Sequence, residues 1–224
     1  MTAKRPAPRS RPRRRRGGPH PGVDSSATRT AVLTAAATSF SHRGFDGVSV
    51  DDIARAAGVN KAMIYYHFKD KLALYRHIVC DMLRAAGERV TTIADTQAPA
   101  DEKIARFIEQ FVDFTDSRPY FPTMMLREIS EGAPHLDPDT LVLMRGVFVA
   151  FGRILSAGQQ SGVFRPVHPV LAYMSILGPL LFNAARERAA AVPGRDHLPM
   201  FVPVSHADLT RHIQHVALRM LKRD

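Results

Sequence analysis

At 224 residues, 45% of them apolar and 23% charged, the chain can bury the core of one large or two small domains. A single cysteine, Cys80, excludes an intramolecular disulfide framework and a cysteine-built zinc site and fits a reducing compartment, so a cytoplasmic protein is expected. The net charge of +10 is unevenly spread: residues 1–24 hold eight Lys/Arg and one acid, leaving 23 basic and 20 acidic residues for the remainder.

The opening stretch KRPAPRSRPRRRRGGPHPG has no apolar anchor and is rich in Pro and Gly. Residues 1–26 are therefore expected to be a disordered basic extension whose use is electrostatic. The Arg run before AVLTAAATSF mimics a secretory signal only superficially, because that segment is studded with Thr and Ser and lacks a leucine-rich centre. From Arg29, Val32, Leu33, Ala36 and Phe40 recur at helical spacing until Gly44. After the turn GFDGVSV, Ser49 stands as N-cap of a second helix with Asp52 three residues on, Ile53, Ala54 and Ala57 form its buried face, and Gly58 ends it. Asn60 caps a third helix running to about His67. Two helices of about eight residues with a Gly-centred turn between them make a helix-turn-helix skeleton, with Ala54, Gly58, Val59 and Ile64 at its tight crossing.

With Val59, Ile64 and Phe68 inward, helical geometry turns Lys61, Ala62, Met63, Tyr65, Tyr66 and His67 outward. Exposed tyrosines beside lysines suit a phosphate-lined groove: hydroxyl, imidazole and ammonium groups donate to phosphate oxygens, and small residues let the helix approach base edges. The stretch GFDGVSVDDIARAAGVNKAMIYYHFKDKLALY, residues 44–75, resembles the TetR family of transcriptional regulators; with the preceding helix the resemblance covers about residues 29–75. It implies that Lys61, Ala62 and Met63 approach bases, that Tyr65 and Tyr66 contact thymine or phosphate, that His67 and Lys71 contact phosphate, and that Ser49 and Val50 touch the DNA backbone at the start of the second helix. Val50 replaces a threonine common in the family, and Asp51 is given no contact because an outward carboxylate repels phosphate.

A long helix follows from Asp70 or Lys71 through KLALYRHIVCDMLRAAGERVTTI, and EKIARFIEQFVDFTDS carries a strongly aromatic face before Arg118-Pro119 ends it. A short helix holds Pro122 near its start, and Asp137 with Pro138 opens another in which Leu141, Met144, Phe148, Phe151 and Leu155 alternate in steps of three and four. The helix from His168 is apolar on nearly every side, with a kink expected at Gly178-Pro179; its VLAYMSILGPLLF is read as the most apolar run and falls short of a membrane span. Residues 190–204 read as a loop and about Ser205 to Leu221 as a final helix; no useful β-alternation or internal repeat occurs. The chain reads as all-α: a DNA-binding domain over 27–72 and a helical ligand-binding and dimerisation domain over 73–224.

The resemblance implies an inverted-repeat operator in double-stranded DNA, a homodimer joined through the last two helices, and a small-molecule effector. Phe107, Phe111, Phe114, Met124, Met125, Phe148 and Phe151 are the expected lining of an apolar or aromatic effector pocket, with Tyr120, Arg127, Glu128 and Tyr173 as polar candidates; Leu177, Leu180, Leu181, Ile213 and Met220 are the expected interface. Release of a repressor by effector is the expected mechanism; the alternatives are a ligand-independent or architectural DNA-binding protein of the same fold, and an enzyme using Cys80 with His77 one helical turn earlier. No G-x-S-x-G, phosphate loop or H-E-x-x-H motif occurs, and no cofactor or metal is expected.

Overall fold

A computed structural model describes residues 25–194 and 198–223, so the arginine-rich stretch lies outside the described residues. The elements are helices α1 (Ser25–Arg43), α2 (Val50–Ala57), α3 (Lys61–His67), α4 (Lys71–Asp95), α5 (Ala100–Ser117), α6 (Phe121–Ser130), α7 (Pro138–Gln160), α8 (Pro169–Ala190) and α9 (His206–Leu221), with a 3₁₀ turn at Pro199–Phe201. Among the described residues the only β-feature is an isolated bridge between Phe164 and Lys222. α1 begins at Ser25, so its first turn takes up the last two residues of the expected extension.

The amino-terminal module is fixed by local chemistry. Ser49 and Asp52 form the reciprocal capping box of α2: the Asp52 amide donates to Ser49 Oγ at 3.1 Å, and the Ser49 amide donates to Asp52 Oδ2 at 3.1 Å. Gly58 ends α2 at φ 66°, a left-handed conformation that favours glycine, and the Val59 amide donates back to the Ala54 carbonyl at 3.0 Å. Asn60 then caps α3, accepting from the Ala62 amide at 2.9 Å. Val32, Ala36, Phe40, Ile53, Ile64 and Phe68 bury the inner faces of the three helices together. Each fully buried Ile or Phe contributes about 1.5–3 kcal/mol.

α4 leaves this module and packs along α7; α5 lies against both and against α9, and α6 and α8 close the remaining side. The helix α8 continues through Pro179, which interrupts the backbone ladder without ending it. Phe164, fully buried, sits so closely over Gly158 that a Cβ there would lie 2.0 Å from its ring, and the Arg165 amide donates to the Leu221 carbonyl, tying the end of α7 to the end of α9. Among the described residues, the helix whose length and composition alone would permit a membrane span is α7, with mean hydropathy 1.6, in place of the run beginning at Val170. In α8 the apolar run is followed by Asn183, Arg186, Glu187 and Arg188, whereas Asp139, Arg145 and Arg153 of α7 are widely spaced.

Candidate functional site

α2 and α3 together present one outer surface. Ile64 and Phe68 anchor α3 from below, which leaves Tyr66 77% exposed, Tyr65 47% exposed and Ala62 exposed, with Met63 half-buried. Lys61 lies at the start of α3 and its Nζ donates to Asp51 Oδ2 at 2.7 Å. Asp51 therefore points outward on α2, as the exposed carboxylate feared from sequence, but its charge is met by the lysine of the neighbouring helix.

Three of the expected contact residues are used differently. The Ser49 amide and hydroxyl both donate to Asp52 Oδ2, so its polar hydrogens are committed to the cap, and the amides of Val50 and Asp51 in the first turn of α2 are the ones left without an intrahelical acceptor. The Lys71 ammonium donates to the carbonyls of Phe45 and Val48, each at 3.1 Å, and lies 4.0 Å from the Phe45 ring centroid. Its charge holds the α1–α2 turn against α4. The His67 ring packs edge-on to Tyr66 with centroids 5.1 Å apart, and its Nε2 is buried without a hydrogen-bond partner, so that nitrogen does not face a groove.

A cavity of about 430 Å³ opens among α4, α5, α6, α7 and α8. Phe107, Phe111, Phe114, Met125 and Phe148 line it as expected from their spacing. Met124 and Phe151 do not: at 1% and 0% exposure they face the packed core beside it. The lining that sequence reasoning missed comes chiefly from α4, through Leu83, Ala86, Val90 and Ile93, and from Phe121 at the start of α6. Of the polar candidates, Tyr173 lines the cavity, while Tyr120 lines a separate polar cleft between α1 and α8.

Glu128 and Arg127 join the two halves of the chain instead. α6 turns Phe121, Met125 and Ile129 to the cavity and Glu128 away from it. The Glu128 carboxylate is buried and receives the Tyr75 hydroxyl of α4 at 2.6 Å, with His135 Nδ1 at 2.8 Å from the same oxygen. Burial, then the hydrogen bond to Glu128, holds the Tyr75 phenol far above its ordinary pKa and keeps it a donor. The His135 ring in turn lies 4.2 Å from that of Phe45 in the α1–α2 turn. Arg127 occupies the space beside Gly44, where a Cβ would stand 2.5 Å from its guanidinium; with φ at +73°, that position favours glycine twice over.

The expected interface residues Leu177, Leu180 and Ile213 are buried within this chain, at 7%, 2% and 6% exposure, and are not free to meet another copy. Leu181 and Met220 are half-buried, and Leu181 lines the cavity. The exposed apolar residues of the same helices are Val170, Leu171, Met174 and Phe182 on α8 and Val216 on α9. Cys80 and His77 do not pair: the Cys80 sulfur lies 3.3 Å from the Thr140 hydroxyl, and His77 Nε2 lies 2.5 Å from the Arg29 guanidinium. Among the described residues no three His, Cys, Asp or Glu side chains converge as a metal site.

Comparison with known proteins covers both halves. Residues 32–78 match the profile of the bacterial regulatory proteins of the tetR family, and residues 101–197 match that of the tetracyclin repressor-like C-terminal domain. The chain is 29% identical over 206 residues to the HTH-type transcriptional repressor NicS of Pseudomonas putida, covering 88% of this chain and 93% of that one. It is 26% identical over 144 residues to the HTH-type transcriptional regulator RutR of Escherichia coli, covering 64% and 68%. Among solved structures, the TetR family regulator PfmR of Thermus thermophilus superposes with a TM-score of 0.66 at 26% identity, over 86% of this chain and 99% of that one.

Proposed function

The chain belongs to the TetR family of transcriptional regulators, and we propose that it is a homodimeric cytoplasmic repressor that releases an inverted-repeat operator when an apolar or aromatic molecule enters the cavity. It is a DNA-binding transcriptional regulator, and the outward surface of α3 is its reading head. Lys61, Ala62 and Met63 approach base edges, Tyr65 and Tyr66 reach thymine methyls or phosphates, and the Val50 amide receives a phosphate at the start of α2. Ser49 and Lys71 support this surface by holding α2 and the preceding turn. Leu171, Met174 and Phe182, spaced along one exposed stripe of α8, form the dimer face together with Val216.

The observation that carries the reading is the double role of α6, which lines the cavity on one side and on the other holds Tyr75 and His135 through Glu128. A ligand that displaces α6 acts on α4 and on the α1–α2 turn at once, and so on the spacing of two reading heads in a dimer. A regulator indifferent to ligands has no use for such a void, since an unfilled cavity costs the contacts its lining forgoes. The test is selection of bound DNA from a random pool, followed by anisotropy titrations of the selected operator with and without apolar and aromatic compounds that raise the melting temperature. An operator without an inverted repeat, or stabilising compounds that leave operator affinity unchanged, would count against it.

A further inference from the structure

Among the residues lining the cavity, three carry hydrogen-bonding side chains: Arg89 from α4, Gln110 from α5 and Tyr173 from α8. Among the described residues the lining contains no acid. None of the three side chains makes a hydrogen bond or ion pair within the described residues; the guanidinium of Arg89 has only the ring of Phe114, 5.5 Å from its carbon. The other arginines of α4 are paired, Arg84 with Asp81, and Arg76 with Asp137 and the His135 carbonyl. Tyr173 packs edge-on against Phe148 and Phe151, and burial pushes its phenol up to about 12, so its hydroxyl stays a proton donor at neutral pH.

The cavity wall is overwhelmingly apolar and Arg89 is the charged residue of its described lining, so a wholly neutral hydrocarbon that covered the guanidinium would displace its water and return no partner. An acidic group at Arg89 supplies a charge-assisted, bidentate partner, and donors from Gln110 and Tyr173 can orient the rest of a polar end. We infer that the effector is an amphipathic anion, an aromatic or aliphatic body seated on the phenylalanine wall with a carboxylate-like acidic group held by Arg89. The volume of about 430 Å³ lies in the range of about 300–1,000 Å³ typical of small-molecule sites. This rests on the cavity being the effector site, and it adds the charge and polarity of what enters.

Two fluorescent probes with the same arene body separate the terms: anilinonaphthalene sulfonate, which is anionic, and N-phenylnaphthylamine, which is neutral. Both are titrated into the full-length wild type, Arg89→Gln and Ala86→Phe. The wild type should bind the sulfonate about tenfold or more tighter than the amine, the scale of one charge-assisted hydrogen-bonded pair. Arg89→Gln should bring that ratio close to one by weakening the sulfonate while leaving the amine unchanged, which also shows that the cavity survives. Ala86→Phe, filling the cavity from α4, should weaken both probes. A ratio near one in the wild type, a ratio that persists in Arg89→Gln, or a sulfonate preference untouched by Ala86→Phe would each overturn the inference. The reading of the cavity as a regulatory site falls separately, if probes that do occupy it leave operator affinity where it was.

Discussion

Replacing Tyr75 by Phe removes one hydroxyl and leaves the ring, whose edge-on contacts with Phe40 and Phe45 have centroid separations of 5.1 and 5.3 Å. The buried carboxylate of Glu128 then keeps only what His135 offers, its ring Nδ1 and a long amide bond of 3.4 Å. A hydrogen bond to a charged group contributes about 1.5–3 kcal/mol, and with no water to replace the hydroxyl most of that is lost. For a chain of this size 1 kcal/mol moves the melting temperature by about 2–4 °C, so Tyr75→Phe should melt roughly 3–12 °C below wild type by circular dichroism. Combining it with Glu128→Gln should cost less than the two losses summed, since both remove the same bond. The variant should still take up effector, because Tyr75 does not line the cavity, yet effector should shift operator affinity less. A melting temperature within about 1 °C of wild type together with an undiminished effector response would refute the account of Glu128 as the joint between cavity and reading head.

Asp51→Asn frees Lys61 from its 2.7 Å partner and removes an outward negative charge, so operator affinity should rise, while Lys61→Ala should lower it; gel shifts across a salt series decide, and equal affinities for wild type and both variants would take α3 out of the groove. Met174→Lys with Phe182→Glu, both on the exposed stripe of α8, should yield a folded monomer in sedimentation that has lost operator binding; an intact dimer would place the interface elsewhere. Burial, with Arg29 and Arg84 adding to it against Asp81, holds the His77 pKa below 6.5, and burial with Arg188 and Arg43 does the same to His42. The folded chain therefore binds fewer protons than the unfolded chain just below that value, and stability that is complete above pH 6.5 is lost as pH falls through the folded pKa values. Thermal melts from about pH 7.5 to about pH 5.5 should show the decline, and His77→Gln should flatten it; an unchanged slope would remove His77 from the explanation.

Capping is short-range, and that is why the helices between Ser49 and His67 were legible, though not every role within them: Ser49, Asp52, Gly58 and Asn60 act within three or four residues of themselves. Which residues share a partner from a distant helix was not. Lys71 looks like any basic residue after a recognition helix until the carbonyls of Phe45 and Val48 are seen to occupy its donors. In α8, apolar residues run around most of the helix, so the periodicity carries no phase. Leu177 and Met174 are equally eligible by sequence, yet one is buried and the other 62% exposed. The same loss of phase separated Phe148, which lines the cavity, from Phe151, one turn on and fully buried. Glu128 left a weak signal, an acid beside Arg127 after an apolar stretch, but its partners lie 53 and 7 residues away on either side.

The end of α6 explains how so short a helix can serve both faces. Gly132 and Ala133 take consecutive left-handed conformations, at φ 82° and 58°, and the Ala133 amide donates to the Glu128 carbonyl at 2.6 Å. For alanine that conformation costs about 1–2 kcal/mol. It turns the chain back so that His135 meets the Glu128 carboxylate from one side while Tyr75 meets it from the other. The hydrogen bonds to the buried acid thus offset the strain of the turn that delivers its partner His135. On the proposed reading, a molecule in the cavity that pressed on Phe121, Met125 or Ile129 would move the helix that carries Glu128. That displacement would reach Phe45 through the His135 ring and α4 through Tyr75, and both Phe45 and α4 adjoin α1, which packs on α2 and α3.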